Sequence, residues 1–268
     1  MSKLLTIAEA VFQDASNIID THCHYNLEPF YPNWQPYWQE ALAHGVKKTI
    51  IASTNELTSQ RAVEIAQSDD QLFALVGVHP SEVGRPDDVK DLSWISDLLS
   101  QPSVIGIGEI GLDYYWLKPE EKEYQIQAQK KMFHDQLVLA HEHGGWLSLH
   151  IRDTQEPSEF VEGNAYWDAY AMMKEFDWSH QPFVLHCFSG SNEYVQAMLS
   201  LGAYVGVDGN ITYPNAHSLR TLLLEVPVER ILLETDAPYL APQAFRGQRC
   251  QPWMIAETAK FLADFLKK

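Results

Sequence analysis

Hydrophobic and polar residues follow two alternating patterns from residue 18 onward. Short, continuous apolar runs predict buried β-strands, and stretches with apolar residues about 3.6 positions apart predict α-helices. The predicted strands span residues 18–25, 47–53, 72–78, 104–112, 146–153, 182–189, 203–207 and 231–238. A predicted helix follows each of them, at residues 34–44, 57–67, 89–100, 120–143, 167–176, 193–201, 218–226 and 252–266. The chain therefore contains eight predicted strand–helix units.

Continuous apolar strands that alternate with helices are typical of a parallel sheet covered on its outside. Eight such units predict an α/β fold of the (β/α)8 TIM-barrel type, which usually takes about 250 residues. The alternative is an open doubly wound sheet, which needs a switch point and usually has fewer strands. No linker or change in composition divides the chain, so we predict a single domain over residues 1–268. Within the N-terminal extension, residues 1–17, apolar spacing predicts an added outer helix.

The composition limits the possible partners and the compartment. With 19 Lys and Arg against 36 Asp and Glu, the net charge is −17, so the surface repels polyanions and any nucleic-acid affinity requires a local positive site. Three cysteines without C-x-x-C spacing argue against a disulfide framework or a structural zinc site and favour a reducing cytoplasm. No apolar window reaches the roughly 18 residues of a membrane span. We predict a cytoplasmic protein that contacts no membrane, and nothing in the sequence indicates an obligate protein partner.

Polar residues of the metal-binding types lie at the ends of several predicted strands. Side chains on a strand alternate between its two faces, so His22 and His24 point the same way. In a barrel, functional groups lie at the carboxyl ends of the strands, where they converge around the axis. The residues at these positions are His22, His24, His79, Glu109, His150, His186, Glu234 and Asp236. Independent core or surface histidines would require several coincidences of position, so the pattern predicts a metal site.

The number of donors favours two metal ions over one. Four histidines with Glu109 and Asp236 exceed the three protein ligands that a catalytic ion usually has. Two ions about 3.5 to 4 Å apart need a bridging group, and the carboxylate of Glu109 is the candidate. Two dications and two carboxylates leave a charge of about +2, which allows an acidic protein to hold an anionic substrate. Zn²⁺, Mn²⁺ and Mg²⁺ remain open, although four histidines argue against Mg²⁺ alone.

Six motifs and the loop that follows them carry a resemblance to a known family. DTHCHY, GVHP, GEIGLDYY, LHIRD, HCFSG and LLETDAPYLAP, followed by RG, resemble in order the motifs of the TatD family of metal-dependent deoxyribonucleases, across residues 18–255. The resemblance implies a (β/α)8 barrel with divalent metal ions that cleaves DNA, often from the 3′ end. The metal ligands that it implies are His22, His24, Glu109, His150, His186 and Asp236. Asp236 is then also the group that orients or deprotonates the attacking water, so Asp236 and Glu109 are the predicted catalytic residues.

The chain departs from the family pattern in three places: after the RG loop, in an insertion after the fifth predicted strand, and in the added residues before Ile18. Family members commonly have Asn-Glu-Pro after the RG loop, where this chain has Cys250-Gln251-Pro252. This change affects substrate contacts and not the predicted ligands. A polar insertion at residues 155–163 follows the fifth predicted strand, at the end of the barrel where it can cover the site.

Several other side chains near the predicted site have both a functional and a structural interpretation. Arg152 shares a strand face with His150 and is a candidate contact for the scissile phosphate, or the partner in a structural ion pair. Arg246, with Arg249 in the same loop, is a candidate phosphate contact or a solvated charge. His79 is a candidate contact for the substrate or leaving group, or a packed histidine. Glu234 is a candidate for orienting a ligand histidine.

For five further side chains, packing is the preferred interpretation. Tyr114, Tyr115 and Trp116 have the chemistry to stack on nucleobases, but packing within their loop is the stronger interpretation. Cys23 and Cys187 alternate away from the predicted ligands, which predicts that both pack against outer helices.

Three classes of function fit the pattern to different degrees. A two-metal phosphodiesterase that acts on nucleic acid explains all six predicted ligands. The family resemblance implies cleavage of DNA from the 3′ end, and the acidic surface favours single strands over duplex. The alternative is an amide or lactone hydrolase, whose paired metal site typically carries a carboxylated lysine on the fourth strand. This chain has Glu109 there and no lysine in VIGIGEIGL. A catalytically inactive scaffold would have no reason to keep a full set of ligands.

Overall fold

The computed structural model describes residues 17–84, 91–157 and 159–266. The strands are β1 (Ile18–Cys23), β2 (Val46–Ile51), β3 (Leu72–Val76), β4 (Val104–Asp113), β5 (Trp146–Arg152), β6 (Phe183–Leu185), β7 (Tyr204–Val207) and β8 (Ile231–Leu233). The α-helices of the described residues are α1 (Gln35–Ala43), α2 (Glu56–Ala66), α3 (Ser93–Leu99), α4 (Lys122–His143), α5 (Ala165–Met173), α6 (Asn192–Ser200), α7 (His217–Leu223) and α8 (Ile255–Leu266). The predicted N-terminal helix and the start of the third predicted helix lie outside the described residues.

The eight strands form one parallel sheet in which neighbours along the chain are also neighbours in space, from β1 to β8. The two ends of the sheet meet: Cys23 and Ala237 form a parallel bridge, and the amide of His24 donates to the carbonyl of Ala237 at 2.9 Å. The sheet is therefore a nearly closed barrel, and the prediction of a TIM-barrel fold is confirmed. None of the described helices combines the length and apolar character needed to cross a membrane.

Alternation along the strands places an apolar layer beneath the polar site. Trp146 precedes Ser148 by two residues, Val184 precedes His186 by two, and Leu232 precedes Glu234 by two. Residues two apart on a strand share a face, so these apolar side chains point into the barrel. Together with Ile50, Leu75 and Tyr204, these three side chains form one buried cluster. This cluster supports the site from below and keeps water out of the barrel interior.

The sixth and eighth strands are less than half as long as predicted, because the chain turns at the site itself. The predicted sixth and eighth strands span residues 182–189 and 231–238, whereas β6 and β8 end at Leu185 and Leu233. Cys187 and Asp236 have positive φ angles of 45° and 52°. This conformation is uncommon for a residue with a Cβ atom and cannot continue an extended strand. His186 and Asp236 therefore lie in the turns that leave the barrel.

Candidate metal centre

The two histidines of the first strand face each other at the top of the barrel. The Nε2 atoms of His22 and His24 lie only 3.3 Å apart, and both side chains are buried. The Oε2 atom of Glu109 is 3.5 Å from the Nε2 of His22 and 3.8 Å from that of His24. Neighbouring ring nitrogens at this distance need a shared proton or a cation between them. The three side chains form one group of potential metal donors.

The second carboxylate oxygen of Glu109 faces a different set of imidazoles. Its Oε1 is 2.8 Å from the Nδ1 of His150 and 3.7 Å from the Nε2 atoms of both His186 and His79. His79, Glu109 and His150 form a second group of potential donors, with ligand atoms within 4.8 Å of one another. Glu109 thus lies between two sets of nitrogen donors and directs one oxygen at each.

Asp236 closes the ring of donors from the turn after β8. Its Oδ1 is 3.2 Å from the Nε2 of His24 and 3.7 Å from the Nε2 of His186. The amide of Tyr239 donates to the carbonyl of Asp236 at 2.7 Å, which stabilises the turn. The structure brings together all six side chains that the TatD resemblance implies as ligands, and it places His79 beside them.

Hydrogen bonds on the outer side of the rings orient the histidines. The ring nitrogens that face away from the centre have the following partners: Ser148 Oγ for His22 at 3.0 Å, the Ala52 carbonyl for His24 at 3.1 Å, Asp113 for His150 at 3.0 Å and Glu234 for His186 at 2.9 Å. With one nitrogen held, each ring presents the other to the centre, as metal-binding histidines do. The donors are imidazoles and carboxylates, so the site fits divalent metal ions.

Of the three side chains that hold these rings, Glu234 is the one that the sequence pattern indicates. Glu234 makes the expected contact with a ligand histidine. Gly206 permits it, because a Cβ atom there would lie 2.1 Å from the carboxylate of Glu234. Ser148 and Asp113 were not predicted. Ser148 lies two residues before His150, so strand alternation was the signal that pointed to it.

The charges of the site without metal follow from the pKa values of its side chains. Burial and neighbouring groups shift most of these pKa values in opposite directions. Burial raises the pKa of Glu109, but the surrounding histidines outweigh this effect and hold it well below its usual range. Burial lowers the pKa of His150, but its hydrogen bonds with Asp113 and Glu109 outweigh burial and raise it to about 9. Burial and the neighbouring His150 lower the pKa of His79 to about 3. At neutral pH the metal-free site therefore holds an ionised Glu109, a protonated His150 and a neutral His79.

We predict that metal binding at pH 7 releases the His150 proton. A histidine binds metal through its neutral form, and the pKa of about 9 keeps His150 protonated until the metal arrives. The apparent affinity should therefore rise as the pH increases toward 9. Titration calorimetry in two buffers of different ionisation enthalpy measures the released proton. His150→Gln should show a smaller buffer dependence without losing it: burial lowers the pKa of His186, but Glu234 and Glu109 outweigh burial and raise it well above its usual value, so this ring releases a proton as well. His143→Gln at the exposed end of α4 should keep the full dependence, and equal heats in both buffers for the unmodified protein would contradict the prediction.

Five of the six implied ligands line a cavity of about 680 Å³, His22 being the exception, and Arg152 lines the same cavity. The guanidinium carbon of Arg152 is 4.1 Å from the ring centroid of Tyr115 and 5.5 Å from that of Trp116. Within the described part of the chain, no carboxylate forms an ion pair with Arg152. Arg246 is exposed, and its guanidinium carbon is 4.0 Å from the ring centroid of Tyr213, outside the side chains that line the cavity.

The three adjacent aromatic residues differ in how far they are buried, and so do the two cysteines of the site region. Tyr114 is buried, and its hydroxyl donates to Asp168 at 3.1 Å, so it packs in the protein. Tyr115 and Trp116 are exposed, and Trp116 lines the cavity. Cys23 is buried in the core cluster, as predicted. Cys187 lines the cavity, and the prediction that it packs on an outer helix is wrong, because its positive φ ends the strand alternation on which that prediction rested.

The barrel and its site define a metal-dependent hydrolase. The chain belongs to the TatD related DNase family, which matches residues 19–268. It is 30% identical to the metal-dependent hydrolase YabD of Bacillus subtilis (strain 168), covering 92% of this chain and 90% of that protein. It is 35% identical to a 3′-5′ ssDNA/RNA exonuclease TatD of Edwardsiella piscicida, covering 81% and 79%. The crystal structure of the TatD homologue YjjV from Escherichia coli K12 superposes with a TM-score of 0.80 at 29% identity, covering 94% and 91%.

Proposed function

We propose that this protein is a two-metal phosphodiesterase that removes nucleotides from the 3′ end of single-stranded DNA in the cytoplasm. The observation that carries the proposal is the placement of Glu109, whose two oxygens face separate groups of histidines in a cavity that Arg152 also lines. The name of the Edwardsiella piscicida relative, which specifies a 3′-5′ exonuclease of single-stranded DNA and RNA, supports this class of substrate.

The donors divide between two ions according to the oxygen of Glu109 that they face. His22, His24 and Asp236 would hold one ion with Oε2, and His150 and His186 would hold the other with Oε1. Bound divalent ions stabilise charge on phosphoryl oxygens and lower the pKa of water. Four imidazole donors favour Zn²⁺ or Mn²⁺ over Mg²⁺.

Asp236 is the proposed proton acceptor for the attacking water. Burial raises the pKa of Asp236, but the hydrogen bond with His24 and the charge of His186 outweigh it, so the pKa lies below its usual value. The carboxylate is therefore ionised at neutral pH. It is also the most exposed of the carboxylates around the centre, with its side chain 14% accessible against 6% for Glu109. Asp236 can thus reach a water molecule that enters from the cavity.

Two side chains at the cavity are the proposed contacts for the substrate. Arg152 presents a positive charge that forms no ion pair with any carboxylate of the described residues, and a phosphate oxygen would provide a partner. His79 is neutral at neutral pH and lies beside Glu109, where it can hydrogen-bond to a substrate or leaving-group oxygen. Arg246 lies outside the cavity lining and would contact a phosphate further along the strand.

The charge of the protein favours strand ends. Duplex DNA carries one charge per roughly 1.7 Å of axis, so a long duplex laid across a protein of net charge −17 is repelled along its length. A single strand that enters the cavity by its end brings only its last phosphates to the positive site and leaves the others in solvent. Strand ends should therefore be cut faster than internal bonds of a duplex.

The test of the proposed function is an assay of metal-reconstituted protein with 5′-labelled single-stranded DNA, the matching RNA and a covalently closed plasmid. We expect a ladder of products that shorten one nucleotide at a time from the 3′ end, and a plasmid that is cut poorly at equal phosphate concentration. Plasmid degradation at the same rate would refute the end-directed mechanism. The same protein is also assayed with a panel of amides and lactones, and their hydrolysis without cleavage of any nucleic acid would replace the proposal with the alternative class.

We predict that Arg152→Ala weakens substrate binding more than catalysis. One charge-assisted contact is worth roughly 1.5 to 3 kcal/mol, so KM for the oligonucleotide should rise by about 10- to 100-fold. The dependence of KM on salt should also become shallower, because one phosphate contact is lost. Arg61→Ala is the matched control, since Arg61 also stacks on an aromatic ring, that of Tyr31, away from the cavity lining. An unchanged KM for Arg152→Ala would remove Arg152 from the site.

A further inference from the structure

Two exposed aromatic side chains stand on opposite sides of the cavity. Trp116 follows β4 and Tyr239 follows β8, and both line the cavity. The barrel order runs from β1 to β8, so these two strands are half a turn apart around the axis. The metal donors lie between them. A polymer that crosses the centre therefore passes one aromatic ring before the cleaved bond and another after it.

Trp116 leaves most of its surface in water. It is 69% exposed, and its ring is in contact with Tyr115 at a centroid distance of 4.7 Å and with the guanidinium of Arg152. Both contacting residues, Tyr115 and Arg152, lie on the same side of the cavity as Trp116. A tryptophan that served only to pack the loop would bury its ring, as Tyr114 does in the same segment. The exposed part of the ring is available to a ligand beside the proposed phosphate contact.

Tyr239, on the other side of the cavity, is also exposed. It is 54% exposed, and its ring lies 6.2 Å from that of His24 in an edge-to-face arrangement. Its backbone amide is bonded to the carbonyl of Asp236, so the side chain begins from a fixed point. Both aromatic residues are thus anchored next to groups of the site while most of each side chain remains open to solvent.

We propose that Trp116 and Tyr239 each stack on one unpaired nucleobase, one on either side of the phosphodiester that is cut. The proposal rests on the proposed function and adds a requirement for a base in the terminal nucleotide and in its neighbour. Aromatic stacking accepts any base, because every base has a π face. Paired bases in a duplex are already stacked, so the two rings select single strands, and the selection is independent of sequence.

The experiment uses 3′-terminal abasic substitutions to remove one base at a time. Three oligonucleotides are compared: an unmodified one, one with an abasic terminal nucleotide and one with an abasic penultimate nucleotide. For the unmodified protein, each missing base should raise KM by about 5- to 150-fold, as expected for one stacking contact. Trp116→Ala should become insensitive to one of the two missing bases, and Tyr239→Ala to the other.

Two further variants separate stacking from general effects. Trp116→Phe keeps an aromatic face and should retain most of the sensitivity to the base. Tyr124→Ala removes an exposed aromatic residue on α4, and it should behave as the unmodified protein does. The inference is overturned if Trp116→Ala and Tyr239→Ala both keep full sensitivity to both bases, or if both lose sensitivity to the same base. If the unmodified protein cleaves no oligonucleotide, the proposed function itself fails; if it cleaves all three equally, only the stacking pair fails.

Discussion

Replacement of Asp236 by Asn is expected to lower the rate of hydrolysis by at least ~10³-fold while the protein remains folded. General-base catalysis alone contributes about 10² to 10⁴, and the loss of a metal contact adds to that. The volume of the side chain is unchanged, and the amide of Asn can still accept a hydrogen bond from His24. The loss should therefore appear in kcat, with little change in the melting temperature.

Single-turnover kinetics of the purified variant with the labelled oligonucleotide measures this effect. Asp97→Asn, which makes the same chemical change at an exposed position on α3, is the matched control and should keep full activity. Turnover of Asp236→Asn within a factor of ten of the unmodified protein would show that Asp236 is not the proton acceptor.

Replacement of Glu109 by Gln is expected to change metal content as well as activity. A carboxylate can give one oxygen to each of two ions, whereas the amide of Gln offers one good oxygen donor and a nitrogen that does not ligate. The variant should also lose the negative charge that attracts the surrounding histidines electrostatically. We expect the metal content to fall from two ions per chain to one or none, and hydrolysis to fall by at least ~10³-fold.

Elemental analysis of protein dialysed against a fixed metal concentration tests the stoichiometry, and a crystal structure of the variant locates any ion that remains. Glu123→Gln, on an exposed part of α4, is the matched control and should bind metal as the unmodified protein does. Retention of two ions by Glu109→Gln would exclude a bridging role for this carboxylate.

The barrel was predictable from the sequence because the residue patterns that specify its strands and helices are local and repeated. Each strand is an apolar run, each helix an apolar stripe, and eight repeats of the pair have few compact arrangements. The pairing of His22 with His24 was predictable for the same reason, since strand alternation places residues two apart on one face. The convergence of His150 and His186 on Glu109 followed from the rule that functional groups lie at the carboxyl ends of barrel strands.

The partners of the site histidines depended on contacts between distant parts of the chain. Asp113 reaches His150 across 37 positions, and Ser148 reaches His22 across 126. Strand alternation places Ser148 on the same face as His150, but no local pattern shows which histidine Ser148 or Asp113 contacts. Their roles are decided by which strands become neighbours and by how far each side chain extends toward the axis.

The sequence by itself determined the barrel, the strand ends that carry the donors and the family to which the chain belongs. Only the tertiary structure decided which loop residues face the cavity. Cys187 turns into it because a positive φ interrupts alternation, Trp116 stays exposed while Tyr114 is buried, and Arg246 rests on Tyr213. The physical reason is that a strand has a fixed period of two, whereas the direction of a side chain in a turn depends on backbone angles that long-range packing selects.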